Sequence, residues 1–259
     1  MRFGLPVKNN PKLEHVLKIV EEDKELETYM KASNIMAIDR LGYSDHGPTH
    51  IKIVSNIAIK LLRMLTDADV VPGAVENYGL KKEDAEVIVF LASAMHDIGH
   101  AVHRENHENF SIPLALPILD RTLKDIYTIE ESTIIKSEVL HAIIAHQRGI
   151  KPLTLEAEIV RVADALDMKK GRARIPFQAG EVNIHSVSAL AVEDVRIRGG
   201  EERPIMIEVV LSNSSGIFQI DEMLKKKMGN TKLKQYISVK VRIEGEEGKE
   251  KKIIHDFEL

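Results

Sequence analysis

The chain contains no cysteine and no tryptophan, and aromatic residues are only 4% of its 259 residues. Without thiols there can be no disulfide, no thiolate metal ligand and no cysteine nucleophile, so any metal ion must be held by histidine and carboxylate. With few rings available, the core must come from Ile, Leu, Val, Ala and Met. No run of about 18 apolar residues exists, so no membrane span is expected. The opening MRFGLPVKNNPKLEHVL is broken by proline and charge. It is not expected to act as a signal peptide, which leaves the cytoplasm as the expected location. Positive charge is not in excess either: 36 Lys and Arg face 40 Asp and Glu, for a net charge of -4. No global field therefore draws nucleic acid, which is not an expected partner. The 44% apolar and 29% charged fractions are those of a globular chain long enough to bury a core.

Two composition regimes meet near residue 178. Before it, apolar residues recur at helical spacing; after it come short β-rich runs. Helices are expected over Lys12–Ala32, after Thr49 (Val54, Ile57, Ala58, Leu61, Leu62 and Leu65 on one stripe) and over Ala85–Met95. Others are expected over Glu108–Leu123 (interrupted by Pro113 and Pro117), Ser132–Gln147 and Leu155–Met168. AEVIVFLASAM at 85–95 is apolar almost all round and must be buried on every side. Downstream, LAVEDVRI, IMIEVVL, YISVKVRI and KKIIHDFEL read as strands, and GIFQIDEMLKKKM reads as a helix whose Lys225, Lys226 and Lys227 form a solvated end. Gly199-Gly200 and Gly245–Gly248 read as turns. The expected fold class is mainly α: an all-helical domain over 1–178 followed by a small α+β domain over 179–259. Exposed edge strands of the second domain offer a surface for self-association into a homo-oligomer.

Eleven histidines are present, mostly in the helical half. His96-Asp97 stands at the end of the most apolar helix, where two polar groups are costly unless paired or metal-bound. Gly99 lets the chain turn away. Asp164 follows Ala157 and Val160 on one helical face, and His50 opens another amphipathic helix. Two imidazoles and two carboxylates from three helices can converge in a bundle core, as bundles build metal sites. A nitrogen and oxygen ligand set without sulfur suits Mn, Fe, Co, Ni, Zn or Mg. His46 reads as structural near a helix start, and His15, His185 and His255 as surface or edge residues. Met95, Met168 and Met206 read as core fillers.

The order His50, His96-Asp97, Asp164, with HDIGH at 96–100 and VADALD at 162–167, resembles the H…HD…D signature of the HD superfamily of metal-dependent phosphohydrolases over roughly residues 30 to 178. HENFSIPLA at 107–115 and VLHAIIAHQRG at 139–149 are similar to segments that supply extra ligands in binuclear branches of that superfamily, which implies His107 and His146 as ligands. Helical geometry supports the second, since Ile135, Val139, Ala142 and His146 share a face and His141 lies off it. The cyclic-dinucleotide branch carries a Gly-Tyr-Pro segment where this chain has Arg148–Pro152, so a cyclic dinucleotide is not the expected substrate.

The resemblance implies one or two divalent ions and a small phosphorylated substrate, of nucleotide type, hydrolysed at an ester or anhydride bond. Asp97 would stand between two ions. His100 and His103 are candidate general acids, because histidine titrates near neutrality. Arg104, Lys169, Lys170, Arg172 and Arg174 are candidate phosphate clamps. Two other functions remain open: an iron-dependent oxygenase of the HD type, and a non-catalytic nucleotide sensor.

Overall fold

The structure is a computed structural model that describes residues 1–7, 9–171, 184–229, 231–244 and 250–251. Its helical part runs α1 (Pro11–Glu22), α2 (Lys24–Asn34), α3 (Pro48–Asp67), α4 (Gly73–Tyr78), α5 (Lys82–Met95), α6 (His107–Leu123), α7 (Ile129–Ala145) and α8 (Leu155–Leu166). After 172–183, which lie outside the described residues together with the expected domain boundary at 178, come α9 (Ile184–Leu190), β1 (Val192–Gly199) and β2 (Ile205–Leu211). The crossover follows, as α10 (Ile217–Gln219), a π-helical turn (Ile220–Lys225) and α11 (Lys226–Gly229), before β3 (Ile237–Glu244) and β4 (Glu250–Lys251). The mainly α class with a small mixed C-terminal part is as expected. Most of KKIIHDFEL and the Gly245–Gly248 turn lie outside the described residues. Among the described residues, no helix is long and apolar enough to cross a membrane.

The single helix expected over Lys12–Ala32 is two. Asp23 adopts an extended conformation and its carboxylate accepts the Leu26 N–H at 2.9 Å, so it caps a new helix rather than continuing the old one. Arg121 on α6 holds the same carboxylate at 2.6 Å. Pro113 and Pro117 do not interrupt α6, which runs through both. The short α4 was not expected. Its first two N–H groups, of Gly73 and Ala74, donate to the buried Glu156 carboxylate at 3.0 and 2.9 Å, a cap supplied from 83 and 82 residues away in the chain that no local pattern reveals.

As the composition requires, α5 is the centre of the bundle: from Ala85 to Met95 every residue but Glu86 is buried. It packs between α3 and α7, with α8 beside it. The sheet order is β1-β2-β3-β4. β1 pairs antiparallel with β2, and β2 pairs parallel with β3. A parallel pair needs a crossover, and the segment from Ile217 to Gly229 provides it. That crossover lies on α8. The Glu158 carboxylate of α8 accepts the Lys232 N–H at 2.9 Å, and Arg148 donates to the Glu222 carbonyl at 2.6 Å. The C-terminal part is thus hydrogen-bonded to the helices that carry the candidate site.

Gly99 serves close packing rather than a turn. A Cβ built there would lie 1.9 Å from the His107 carbonyl oxygen and 2.5 Å from the Ser111 nitrogen. Both are backbone atoms of α6 and cannot swing away. Gly99→Ala is therefore expected to destabilise the fold by about 3 kcal/mol or more, above the usual cost of overpacking because backbone must move. Gly199→Ala, which meets nothing within 4 Å, should stay within about 0.5 kcal/mol of the parent. Denaturant midpoints of the two variants test the difference; equal midpoints would mean that α6 yields without cost.

Candidate metal centre

The helix ends bring the histidines together. His96 caps the C-terminus of α5 and His146 that of α7, while His50 lies in the first turn of α3 and His107 opens α6. In each ring Nδ1 is committed. It donates to the Ser93 carbonyl at 2.8 Å from His96, to Ile143 at 2.5 Å from His146, and to Arg104 at 3.0 Å from His107. In His50 it donates to the Asp167 carboxylate at 2.6 Å. A carbonyl or carboxylate can only accept, so Nδ1 carries a proton, and in the neutral ring the Nε2 lone pair points to the centre. The Nε2 atoms of His50 and His96 lie 3.3 Å apart, and those of His107 and His146 lie 3.2 Å apart. Two lone pairs facing each other repel unless a cation stands between or beside them.

Asp97 joins the two pairs. Its Oδ2 lies 3.3 Å from His50 Nε2 and 3.4 Å from His96 Nε2; its Oδ1 lies 3.2 Å from His107 Nε2 and 3.6 Å from His146 Nε2. Asp164 adds an oxygen to the first pair, with Oδ1 at 3.4 Å from His50 and 3.9 Å from His96. Asp97 Oδ2 is buried with no hydrogen-bond partner among the described residues. An orphaned carboxylate oxygen beside two imidazole lone pairs suits a divalent cation and little else. The residues present therefore fit the metal expected from the sequence.

Electrostatics agree with the geometry. Burial pushes the Asp97 carboxyl up, but the surrounding imidazoles, His96 and His100 foremost, hold it well below the usual range. Asp164 is likewise held down against burial, chiefly by the ammonium of Lys227. Burial pushes His96 down to about 4, so this ligand is neutral. Burial also opposes charge on His107, yet its contacts with Asp97 and Glu108 outweigh that and raise it.

The HD turn itself is held by two buried hydroxyls. Ser111 Oγ accepts the Gly99 N–H at 2.8 Å and donates to the His96 carbonyl at 2.8 Å. Ser33 Oγ lies 3.2 Å from the carbonyls of Asp97 and Ile98. Arg161, buried in α8, donates to the carbonyls of Ala145 at 3.2 Å and Ile150 at 2.5 Å and so anchors the chain on both sides of His146.

The six candidate ligands read from the sequence, His50, His96, Asp97, His107, His146 and Asp164, thus meet. His141 does not join them; its Nε2 accepts the Leu153 N–H at 3.0 Å. His46, read as structural, instead forms a further group with Asp97 and His100, its ring centroid 4.7 Å from that of His100. Burial pushes His100 down to about 3, and its Nε2 accepts from Arg104 at 3.2 Å. His103 is exposed, with Nδ1 accepting the Glu105 N–H at 3.0 Å. Of the phosphate-clamp candidates among the described residues, Arg104 stands at the cluster and Lys169 and Lys170 do not. Lys169 and Lys170 are engaged by Asp194, at 2.5 Å, and Glu193 of β1, because the chain after α8 runs beside that strand. Arg172 and Arg174 lie outside the described residues. The expectation that Lys227 ends a solvated helix is overturned: it is 8% exposed and paired with Asp164.

Asp167 and Lys227, besides His46, are residues at the cluster that sequence reasoning missed. The first had a signal, since it stands three residues after Asp164 on the same helix end. Asp167→Ala is expected to weaken metal binding by about 10- to 100-fold while the fold persists, because an imidazole loses the carboxylate that orients it. Chelator competition measures this, with His141→Ala as a control that should match the parent. An Asp167→Ala variant with parental affinity would show that α3 alone sets the His50 ring.

The HD domain family matches residues 49–169, the span that holds the six candidate ligands. Uncharacterized protein MJ1020 of Methanocaldococcus jannaschii is 48% identical over 225 residues, covering 87% of both chains. No solved structure matches significantly. The motif order, the converging side chains and these matches agree that the chain belongs to the HD superfamily of metal-dependent phosphohydrolases.

Proposed function

We propose that this HD protein hydrolyses a phosphate ester or anhydride of a small molecule of nucleotide type, using two divalent ions held on either side of Asp97. The observation that carries the reading is the Asp97 carboxylate, each of whose oxygens faces its own histidine pair at 3.2 to 3.6 Å. His50, His96 and Asp164 would complete one ligand set; His107 and His146 would complete the other. Ions bound there supply acidified water and positive charge beside a phosphoryl oxygen.

The chain's own residues do the rest. The Nδ1 hydrogen bonds fix the ring planes before substrate arrives. Arg104 presents a guanidinium beside His100, and its Cζ lies 5.2 Å from the centroid of the exposed Tyr43 ring. That pairing supports a phosphate contact with an aromatic face at hand for a base. His100 is held as a neutral imidazole, which accepts from Arg104 and is a poor acid near neutrality. Its role is to position Arg104. His103 is the exposed imidazole left as proton donor.

Protein purified without chelator should carry about two divalent ions per chain and hydrolyse members of a panel of phosphomonoesters, phosphodiesters and nucleotides. Exhaustive chelation should abolish turnover, and Mn, Fe, Co or Ni should restore it better than Ca, which prefers more oxygen ligands. Activity that survives chelation would sink the metal mechanism. Iron-dependent oxygen uptake would favour an oxygenase, and nucleotide binding without turnover under any metal would favour a sensor. Asp97→Ala should lose both metal and activity. His107→Ala or His146→Ala should retain about one ion, with turnover down on the order of a hundredfold.

Acid should remove the ions in order. A proton competes with metal for each Nε2, and competition begins at higher pH where the imidazole is raised, as in His107, than where it is lowered, as in His96. Elemental analysis across a falling pH series should show the ion on the His107 side leaving first. Simultaneous loss would contradict two distinct sets.

A further inference from the structure

The crossover helix α11 carries a lysine into the candidate site. Three lysines follow one another there, and two behave as surface residues. The side chains of Lys225 and Lys226 are 49% and 53% exposed and pair with Asp221 and Glu222, four residues earlier on their own helical segment. Lys227 turns the other way. Its side chain is 10% exposed, and its ammonium lies against Asp164 Oδ2. The other oxygen of that carboxylate faces His50 and His96. Burying an ammonium is costly, and one carboxylate satisfies only one of its three N–H donors. Among the described residues Asp164 is its partner, which leaves two donors uncommitted one carboxylate away from the first histidine pair.

Charge placement gives these donors a ligand. Arg104 stands beside His100, at the end of the cluster that Asp97 Oδ1 faces. Lys227 stands at Asp164, on the His50 and His96 side that Asp97 Oδ2 faces. Each cation thus stands one residue away from Asp97 or His50, so anionic oxygens of a phosphorylated substrate at the cluster have positive charge within reach on the Asp164 side as well as on the His100 side. A lysine is a compact point charge with rotatable donors, suited to one non-bridging oxygen.

We propose that Lys227 is a substrate-binding residue, anchored on Asp164, whose ammonium contacts a non-bridging oxygen of a phosphate dianion in the hydrolase site. This rests on the phosphohydrolase reading and extends it: the C-terminal part completes the substrate site. Orthophosphate, the common product of phosphomonoester hydrolysis, is the probe.

The experiment compares metal-loaded parent, Lys227→Met and Lys227→Arg for metal content, orthophosphate affinity by calorimetry, and kcat and KM on a phosphomonoester hydrolysed by the parent. Lys227→Met is expected to keep its metal, weaken orthophosphate by about tenfold or more, as loss of a charge-assisted hydrogen bond implies, and raise KM. Lys227→Arg should recover most of the affinity. If Lys227→Met does not fold, Lys227→Gln, which retains a neutral donor, takes its place with the same expectation. The proposal is overturned if the variant keeps full metal and binds orthophosphate within about twofold of the parent. It is also overturned if affinity falls only in proportion to lost metal, since Lys227 would then act through Asp164 alone. A parent that hydrolyses no phosphate ester or anhydride under any metal would instead overturn the phosphohydrolase reading, and this proposal with it; a parent that hydrolyses a phosphodiester or anhydride but neither binds orthophosphate nor acts on a phosphomonoester would overturn this proposal alone.

Discussion

A carboxylate sealed from water among imidazole lone pairs is a costly arrangement, and much of the surrounding structure serves to hold Asp97 in it. Its oxygens divide between two histidine pairs, so any shift of the HD turn disturbs both at once. The turn is accordingly fixed from two sides, by Ser33 of α2 and Ser111 of α6. Gly99 lets α6 come close enough for Ser111 to reach. The apolar all-round surface of α5 then immobilises the helix from which the turn projects. Remove the carboxylate and these features have nothing to support; keep it and each follows as a condition of placing one charge in a dry interior.

The side chains that converge at the centre were legible in the sequence because each is tied to a local pattern. His96-Asp97 ends an uninterrupted apolar helix, and His146 lies in phase with Ile135, Val139 and Ala142, all buried. The C-terminal strands at 205–211 and 237–244 were legible for the same reason. What escaped depends on contacts distant in sequence. Glu156 starts α4 from afar, and Asp23 splits an apparently continuous helix because its cap bond competes with propagation. His46 is brought to His100 by the loop before α3, which has no period to read. Lys169 and Lys170 looked like clamps because they follow Asp164 in sequence, yet β1 offers them carboxylates first. Lys227 looked like a surface lysine because its two neighbours are; only the parallel crossover turns it inward.

The C-terminal part is therefore more than an appendage to the helices. Its crossover lies on α8, the helix that supplies Asp164 and Asp167, and it is tied there through Glu158 and Arg148. Any rearrangement of the sheet would be felt at the end of α8, where one carboxylate orients an imidazole and the other holds an ammonium. Coupling between the two parts has a short physical route through a single helical turn.

In both His96 and His146 the ring closes on the carbonyl three residues earlier, one of the last carbonyls that a helix leaves without an intrahelical partner. Terminating the helix and aiming the imidazole are therefore one and the same bond. Each of these last turns is a self-contained cassette of four residues that delivers a nitrogen lone pair at a fixed azimuth, whatever helix precedes it. Lengthening α5 or α7 by one residue would rotate its cassette by about 100° and carry the lone pair out of the centre, whereas a whole-turn change on the far side of the bundle would leave its aim intact.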